Sequence, residues 1–159
     1  MSTQSTAALV RTQVVVEAPA ERAFAVFTQD MASWWPEDHH IVGGVLAEMV
    51  FEPRVGGRIY DRNTEGGECI WARVLAYEPP DRLVFSWDIT PQWQIETDPD
   101  RTSEVEVRFI AETDSRTRVE LEHRALERHG EGWDGIYEAV RSAGGWPKTL
   151  GAFAARAAA

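Results

Sequence analysis

One stretch of the chain, residues 52–87, constrains the fold more than any other. Its apolar and polar residues alternate in successive runs, which are separated by Gly56-Gly57, Gly66-Gly67 and Pro79-Pro80. Alternation with a period of two is typical of half-buried β-strands, and glycine or proline pairs between such runs are typical of turns. The stretch therefore predicts an antiparallel meander. Aromatic residues recur along it, at Tyr60, Trp71, Tyr77, Phe85 and Trp87. The predicted sheet thus has an aromatic lining, which another element must cover.

The same alternation predicts further strands before and after this meander. Seven strands are predicted in all, at residues 10–17, 46–52, 57–62, 68–77, 82–89, 103–112 and 116–124. After the first strand, Pro19 and an apolar stripe that includes Phe24 and Phe27 predict a short helix, and a second short turn ends before Pro36. In the last two strands the inward side is apolar and the opposite side is charged, which is typical of a sheet with one solvated face.

The C-terminal region changes from alternation to helical spacing. Gly144-Gly145 and Pro147 divide it into two helical pieces, and Pro147 falls in the first turn of the second piece. That final helix carries one apolar stripe, formed by Trp146, Leu150, Phe153 and Ala157. We expect this stripe to cover the aromatic lining of the sheet.

Length and charge limit the classes of protein to which the chain can belong. Its 159 residues suit one domain with a substantial core, predicted at residues 10–158 after a flexible N-terminus at 1–9. No apolar run approaches the ~20 residues of a membrane-spanning helix, and the N-terminus lacks the pattern of a secretory signal. A net charge of −10 disfavours nucleic acid and anionic membranes as partners. We therefore expect a cytoplasmic protein.

Five segments of the chain resemble one known superfamily. They are VVVEAPAERAFAVFT, EPRVGGRIYDR, ARVLAYEPPDRLVFSW, RVELEHRAL and GGWPKTLGAFAARA. In this order they resemble the SRPBCC superfamily, also called START-like, and within it the family named after the heat-shock-protein-90 ATPase activator. The resemblance implies an α+β helix-grip fold: a seven-stranded curved antiparallel sheet with two short helices, and a long C-terminal helix over a cavity. Members use that cavity for lipids, hormones, polyketide intermediates or chaperone contact, and the family has no invariant catalytic set.

Candidate cavity residues follow from these predicted faces. They are bulky, aromatic or polar side chains expected near the sheet interior, the loop before the second strand, or the final helix. We predict Trp35, His39, Arg58, Trp71, Phe85, Trp87, His123, Trp146 and Leu150 as ligand-cavity residues. Trp93 and Trp133 are predicted in loops, where an exposed indole would be costly without a ligand or partner.

Two residue groups raise the question of chemistry beyond binding. His123 continues an inward strand face, where it could act as a general base or donate to a ligand carbonyl, or instead hold the final helix in place. The structural role is favoured, so His123 is only a weak catalytic candidate. The segment from Trp34 to His40 could hold a metal, but adjacent loop histidines point to different sides, and we predict no metal and no cofactor.

Charged and thiol side chains in the strands have an ordinary structural interpretation as well. Arg54, Arg58 and Arg73 could anchor a carboxylate ligand, but the acidic surplus favours pairing with nearby Asp or Glu. Of the strand carboxylates, one or two could face inward and act as acid or base. The single cysteine, Cys69, is predicted to be a buried structural thiol.

Three functions remain open from the sequence. The first is binding of a small hydrophobic or aromatic molecule in the cavity. The second is an enzyme of the polyketide cyclase, dehydratase or hydrolase type that uses His123. The third is a chaperone-interacting module, which the family name suggests. A homodimer through an exposed sheet edge or the Trp93 loop is compatible with each of them.

Overall fold

The computed structural model describes residues 9–36, 39 and 41–159, so residues 1–8 of the predicted flexible N-terminus lie outside it. The strands and helices occur in the predicted order. The strands are β1 (Val10–Val16), β2 (Leu46–Phe51), β3 (Arg58–Asn63), β4 (Glu68–Glu78), β5 (Arg82–Trp87), β6 (Ser103–Thr113) and β7 (Arg116–Arg124). The helices are α1 (Ala20–Thr28), α2 (Trp133–Arg141) and α3 (Trp146–Ala158), and short 3-10 turns span Met31–Ser33, Pro99–Arg101 and Leu126–His129.

All seven strands form one antiparallel sheet in the order β1-β7-β6-β5-β4-β3-β2. The chain thus runs as a meander from β2 to β7 and closes with β1 beside β7. Register shifts interrupt several of the ladders, as between Ile59 and Tyr60 and between Val74 and Ala76, and such shifts increase the local twist and bend of a strand. The predicted α+β helix-grip fold is confirmed, with α1 and α3 packed against the sheet.

One end of the sheet interior is filled by a cluster of phenyl rings, formed by Phe24 and Phe27 of α1, Phe109 of β6 and Phe153 of α3. We call it the phenyl cluster. The ring centroid of Phe27 lies 5.7 Å from that of Phe109 and 5.1 Å from that of Phe153, in edge-to-face geometry. All four side chains are buried. The amphipathic faces of α1 and α3 therefore meet the sheet here through side-chain packing alone.

The outer face of β5, β6 and β7 carries the predicted charged residues as an ion-pair network. Its most enclosed member is Glu106, whose side chain is 7% exposed and lies against Arg82, Arg108 and Arg124. Burial opposes ionisation of this carboxyl, but hydrogen bonds from the three guanidinium groups outweigh burial and lower its pKa to about 2. This face of the sheet is thus occupied by charge pairs.

Among the described residues, no helix is both long and apolar enough to cross a bilayer. Trp133, which the sequence placed in a loop, is instead the first residue of α2, where its ring packs 6.1 Å from that of Tyr137. Cys69 lies in β4 as a half-buried free thiol, and burial raises its pKa.

Candidate functional site

A pocket of about 450 Å³ opens at the other end of the sheet interior, between β4, β5 and the segment that joins α2 to α3. It is thus continuous with the core but lies away from the phenyl cluster. Its walls come from the sheet, from the loops after the first 3-10 turn and after β5, and from the two C-terminal helices. The lining residues are Trp35, His39, Ile41, Trp71, Trp87, Ile89, Trp93, Ala139, Val140, Ser142, Gly144, Gly145, Trp146 and Thr149.

Four of these residues form a closed ring of indoles, which we call the tryptophan ring: Trp35, Trp71, Trp87 and Trp146. The centroid of Trp71 lies 5.2 Å from that of Trp35 and 5.9 Å from that of Trp87. The centroid of Trp146 lies 5.7 Å from that of Trp87 and 5.9 Å from that of Trp35. Neighbouring indoles that are tilted or edge-on to one another present both ring faces and ring edges to the space beside them.

The indole N–H groups of the ring differ in whether they have acceptors. Trp146 Nε1 donates to His123 Nδ1 over 3.1 Å. Trp35 Nε1 and Trp87 Nε1 are buried and have no hydrogen-bond partner among the described residues. A buried donor without an acceptor costs roughly 1–3 kcal/mol, so these two groups would gain from an oxygen atom brought by a ligand.

Among the described lining residues, few polar side chains accompany the indoles. The Ser142 hydroxyl donates to the Ala139 carbonyl at 2.7 Å, and the Thr149 hydroxyl donates to the Gly145 carbonyl at 3.1 Å. His39 Nδ1 lies 3.5 Å from Thr149 Oγ1. Of the described lining residues, His39 is the one with an ionisable side chain. The walls therefore suit an uncharged, largely apolar molecule with a few oxygen atoms.

The turn between α2 and α3 brings backbone close to backbone at Gly145. A Cβ at this position would lie 2.4 Å from the carbonyl oxygens of both Ala139 and Val140. Gly145 also accepts the backbone N–H bond of Thr149 and directly precedes Trp146 at the start of α3. The glycine pair that divides the two helices in the sequence thus sets where Trp146 enters the pocket wall.

The loop after β5 carries a fifth tryptophan to the pocket. Ile89 pairs with Ile95 across the loop, and the Thr90 hydroxyl accepts the backbone N–H groups of Gln92 and Gln94 at 3.2 and 3.1 Å. Trp93, at the tip, has a φ of 61°, and the residue is 45% exposed. A left-handed φ is unusual for a bulky residue, and here it places a half-exposed indole on the pocket rim.

Behind the tryptophan ring lies a chain of three fully buried polar side chains: His123 of β7, Ser103 of β6, and His129 in the turn after β7. Ser103 Oγ lies 2.8 Å from His123 Nε2 and 2.7 Å from His129 Nε2. The His123 ring lies 5.2 Å from Trp87 and 6.1 Å from Trp146, centroid to centroid. The chain therefore supports two walls of the pocket from behind.

Both histidines are held neutral by their surroundings. Burial, with a smaller contribution from nearby His129, lowers the pKa of His123 to about 3. Burial also lowers the pKa of His129, although the charges of Glu96 and Asp88 favour its protonation. A neutral imidazole can accept a hydrogen bond at one nitrogen and donate at the other, as His123 does between Trp146 and Ser103.

The structure divides the nine predicted cavity residues into two groups. Trp35, His39, Trp71, Trp87 and Trp146 lie together in the pocket lining. The others lie outside it: Phe85 and Leu150 are buried in the core, His123 lies behind the ring, and Arg58 pairs with Glu52 near the surface. The ligand-binding role of all nine residues stays a prediction.

The strand arginines and carboxylates pair as the acidic surplus indicated. Arg54 and Arg58 both lie against Glu52, at 3.6 and 3.4 Å, and Arg73 forms two hydrogen bonds with the buried carboxylate of Asp88. Within residues 9–36, 39 and 41–159, no three His, Cys, Asp or Glu side chains cluster as metal ligands would. Glu37, Asp38 and His40 of the histidine-rich segment lie outside the described residues.

Sequence reasoning missed Ser103, His129 and Gly145. Ser103 could have been found, because it begins the inward face that continues through Val105, Val107 and Phe109. His129 gives no such signal, since it lies in a 3-10 turn and is buried by tertiary packing alone. Gly145 was interpreted only as a helix boundary.

Comparison with known proteins places the chain among solved structures. A search of curated proteins gave no match. The solved structure described as "An anthrahydroquino-Gama-pyrone synthase Txn09 complexed with SUM" has 44% identity and a TM-score of 0.67, and the match covers 92% of this chain and 95% of that one. The self-sacrificing resistance protein CalC from Micromonospora echinospora has 29% identity and a TM-score of 0.66, with 94% and 93% covered.

A more distant structure, protein NE0264 from Nitrosomonas europaea, shares the fold at 14% identity, with a TM-score of 0.64 and 96% and 95% of the two chains covered. The profile of one family, "Activator of Hsp90 ATPase homolog 1-like protein", matches residues 17–158. These residues include every strand and helix described above except β1. The chain belongs to the family of activator of Hsp90 ATPase homolog 1-like proteins, within the SRPBCC superfamily.

Proposed function

We propose that the protein binds a planar, uncharged, polycyclic aromatic molecule of the polyketide type in the pocket lined by the tryptophan ring. The observation that carries this proposal is the ring itself: four indoles border a pocket of about 450 Å³, and the described lining residues include one ionisable side chain, His39. Small-molecule sites typically measure ~300–1,000 Å³ and have aromatic walls with few polar groups. Stacking on indole faces favours flat aromatic ligands.

The unpaired indole N–H groups support a ligand that carries oxygen. Trp35 and Trp87 each hold a buried donor that has no acceptor among the described residues. Small side-chain rotations that bring these N–H groups to a quinone or phenol oxygen would satisfy them. A carboxylate ligand is disfavoured, because the nearby arginines are paired with Glu52 and Asp88 outside the lining.

The binding proposal is tested with 1,8-dihydroxyanthraquinone as probe, by isothermal titration calorimetry and quenching of tryptophan fluorescence. We expect saturable binding by the natural chain and at least about tenfold weaker binding by Trp87→Leu. Trp133→Leu is the matched control, since Trp133 lies outside the pocket lining. Equal affinities of the two variants, or no saturable binding by the natural chain, would overturn the proposal. Anthraquinone-2-carboxylate is expected to bind more weakly than the neutral probe.

A second candidate function is closure of an oxygen heterocycle on such a ligand. It is favoured by the 44% identity to a γ-pyrone synthase over nearly the whole of both chains. In this reaction a phenol oxygen adds to the distal carbonyl carbon of a neighbouring 1,3-diketone. The resulting hemiketal loses its hydroxyl and one α-proton as water, so that a γ-pyrone forms with no change of oxidation state. His39 is the candidate proton acceptor, because His123 lies behind the pocket wall.

Ring closure is tested with 1-hydroxy-2-(3-oxobutanoyl)anthraquinone, by chromatography of the pyrone product. We expect turnover above the uncatalysed rate, and about a hundredfold loss in His39→Gln with little change in probe affinity. No product above the uncatalysed rate would leave binding as the whole function. The chaperone-binding hypothesis has the family name in its favour, and no contact among the described residues adds to it.

A further inference from the structure

The hydrogen bonds behind the tryptophan ring fix the tautomer of His123. An indole N–H can only donate, so His123 Nδ1, which receives the Trp146 N–H, must be the ring nitrogen without hydrogen. A neutral imidazole then carries its hydrogen on Nε2, and this hydrogen is donated to Ser103 Oγ. The second contact of Ser103 Oγ is with His129 Nε2. Either the serine hydroxyl donates to this nitrogen, which leaves the His129 hydrogen on Nδ1, a buried atom with no partner among the described residues, or His129 Nε2 donates to the serine oxygen.

Ser103 is the central link of this chain. Without its hydroxyl, His123 Nε2 would have no acceptor and His129 Nε2 no hydrogen-bond partner, and both side chains are buried. A buried His123 without this bond could adopt the other tautomer, which places a hydrogen on Nδ1 against the Trp146 N–H. Two donors that face each other repel, so the Trp146 indole would leave its place in the ring.

Position in the sheet ties the chain to a second indole. Ser103 is the register partner of Trp87 across β5 and β6, and the His123 ring contacts both Trp87 and Trp146. Trp87 has an unpaired N–H, whereas the N–H of Trp146 is held from behind by His123. The hydrogen bond from Trp146 to His123 thus holds Trp146 with its ring surface toward the pocket. Indoles with an unpaired N–H, such as that of Trp87, remain able to donate to a ligand.

We propose that Ser103 and His129 are positioning residues for ligand binding, which act through His123 to hold the Trp146 indole in the orientation that closes the tryptophan ring. This inference rests on the proposed binding function. It adds two residues that lie outside the pocket lining and does not depend on whether a reaction follows binding.

The test compares Ser103→Ala with Ser86→Ala in the full chain. Ser86 is also a fully buried serine of a neighbouring strand, but its hydroxyl accepts the Arg73 backbone N–H and has no link to Trp146. We expect Ser103→Ala to weaken binding of 1,8-dihydroxyanthraquinone about tenfold, which corresponds to ~1.4 kcal/mol, and Ser86→Ala to change it less than about twofold. Equal affinities of the two folded variants would overturn the inference.

A second pair of variants serves if Ser103→Ala does not fold. The side-chain oxygen of His129→Gln can accept the Ser103 hydroxyl, whereas His129→Leu cannot accept it. We expect the glutamine variant to bind the probe more tightly than the leucine variant. Equal binding by both would contradict a positioning role for His129.

A readout without ligand separates failure of this inference from failure of the proposed function. Nitrogen-15 NMR of the natural chain should show His123 with its hydrogen on Nε2, and Ser103→Ala should mix the two tautomers and shift the Trp146 indole N–H signal. If the natural protein shows this tautomer but binds no probe, the proposed function fails, and the hydrogen bonds among Ser103, His123 and His129 have only a structural role. If His123 carries its hydrogen on Nδ1, the inference itself is wrong.

Discussion

The two ends of the sheet interior use aromatic side chains in opposite ways. At the phenyl cluster, rings from α1, β6 and α3 pack edge to face and are buried. At the tryptophan ring, four indoles contact one another in a closed loop and still border a pocket of about 450 Å³. The difference shows that the same curved sheet and helix can enclose a packed core at one end and a pocket at the other.

Adjacent residues show the same contrast at the boundary. Trp34 packs on Phe27 and Phe153, and its indole N–H donates to the Val26 carbonyl at 2.8 Å. Trp35, one residue later, packs on Trp71 and Trp146, and its indole N–H has no partner among the described residues. The Trp34 N–H, in the core, therefore has an acceptor, whereas the Trp35 N–H, beside the pocket, has none among the described residues.

The largest expected effect comes from the phenyl cluster. Phe27→Ala removes a fully buried ring that contacts Phe109, Phe153 and Trp34. We expect the free energy of unfolding to fall by ~3–5 kcal/mol, because apolar contact is lost and a cavity remains. Urea unfolding of the natural chain and the variant measures this change in the free energy of unfolding. A loss below ~1 kcal/mol would mean that this end is as loosely packed as the pocket end.

The pH dependence of stability tests the buried chain behind the tryptophan ring. The pKa of His123 is lowered to about 3 by burial, so between pH 6.5 and 3 the unfolded chain binds a proton that the folded chain does not. Below pH 6.5 this lowers the free energy of unfolding by up to ~1.4 kcal/mol per pH unit.

His123→Gln lacks this titration. The stability advantage of the natural chain over this variant should therefore shrink by roughly 2 kcal/mol between pH 7 and pH 5, as measured by urea unfolding at each pH. A constant difference across this range would show that the pKa of His123 is the same in the folded and the unfolded chain.

Gly145→Ala tests how the pocket wall is built. The added Cβ would meet the carbonyl oxygens of Ala139 and Val140 at 2.4 Å, so the backbone at the start of α3 must shift. We expect ~1–3 kcal/mol lower stability together with weaker probe binding, because Trp146 follows directly. Gly151→Ala is the control, since a Cβ there has no atom within 4 Å. Unchanged stability and binding in Gly145→Ala would contradict the close approach.

The smallest effect compares the neighbouring tryptophans. Trp34→Phe removes the hydrogen bond to the Val26 carbonyl and should cost about 1 kcal/mol beyond the lost ring area. Trp35→Phe removes a buried donor without a described acceptor and should cost less, or stabilise the fold. Thermal and urea unfolding of both variants make the comparison. A larger loss in Trp35→Phe would show that its N–H is satisfied in solution.

Much of the fold could be predicted because it depends on local patterns. Alternation predicted all seven strands to within about two residues at their ends, and Gly144-Gly145 with Pro147 predicted the break before the last helix. The inward face of Val119, Leu121 and His123 is buried as predicted, because side-chain direction in a strand follows from its period.

The site could be predicted only in part, because facing the interior is not the same as facing the pocket. Phe85 and Trp87 share one face of β5, yet Phe85 is core and Trp87 is pocket wall. Which of them meets open space depends on where α3 begins and on the loop that carries Trp93. Similarly, His123 faces inward, and only the positions of Trp146 and Ser103 show that it lies behind the wall. These positions depend on tertiary packing, which the spacing of residues along the sequence does not predict.

The central claim is that one end of the interior is closed and the other receives a flat aromatic ligand. It is tested most directly by following the seven indole N–H signals in nitrogen-15 NMR spectra while 1,8-dihydroxyanthraquinone is added. We expect the signals of Trp35, Trp71, Trp87, Trp93 and Trp146 to shift and saturate together, while those of Trp34 and Trp133 stay in place. Shifts at Trp34 or Trp133 alone, or no saturable shift at any indole, would contradict the account.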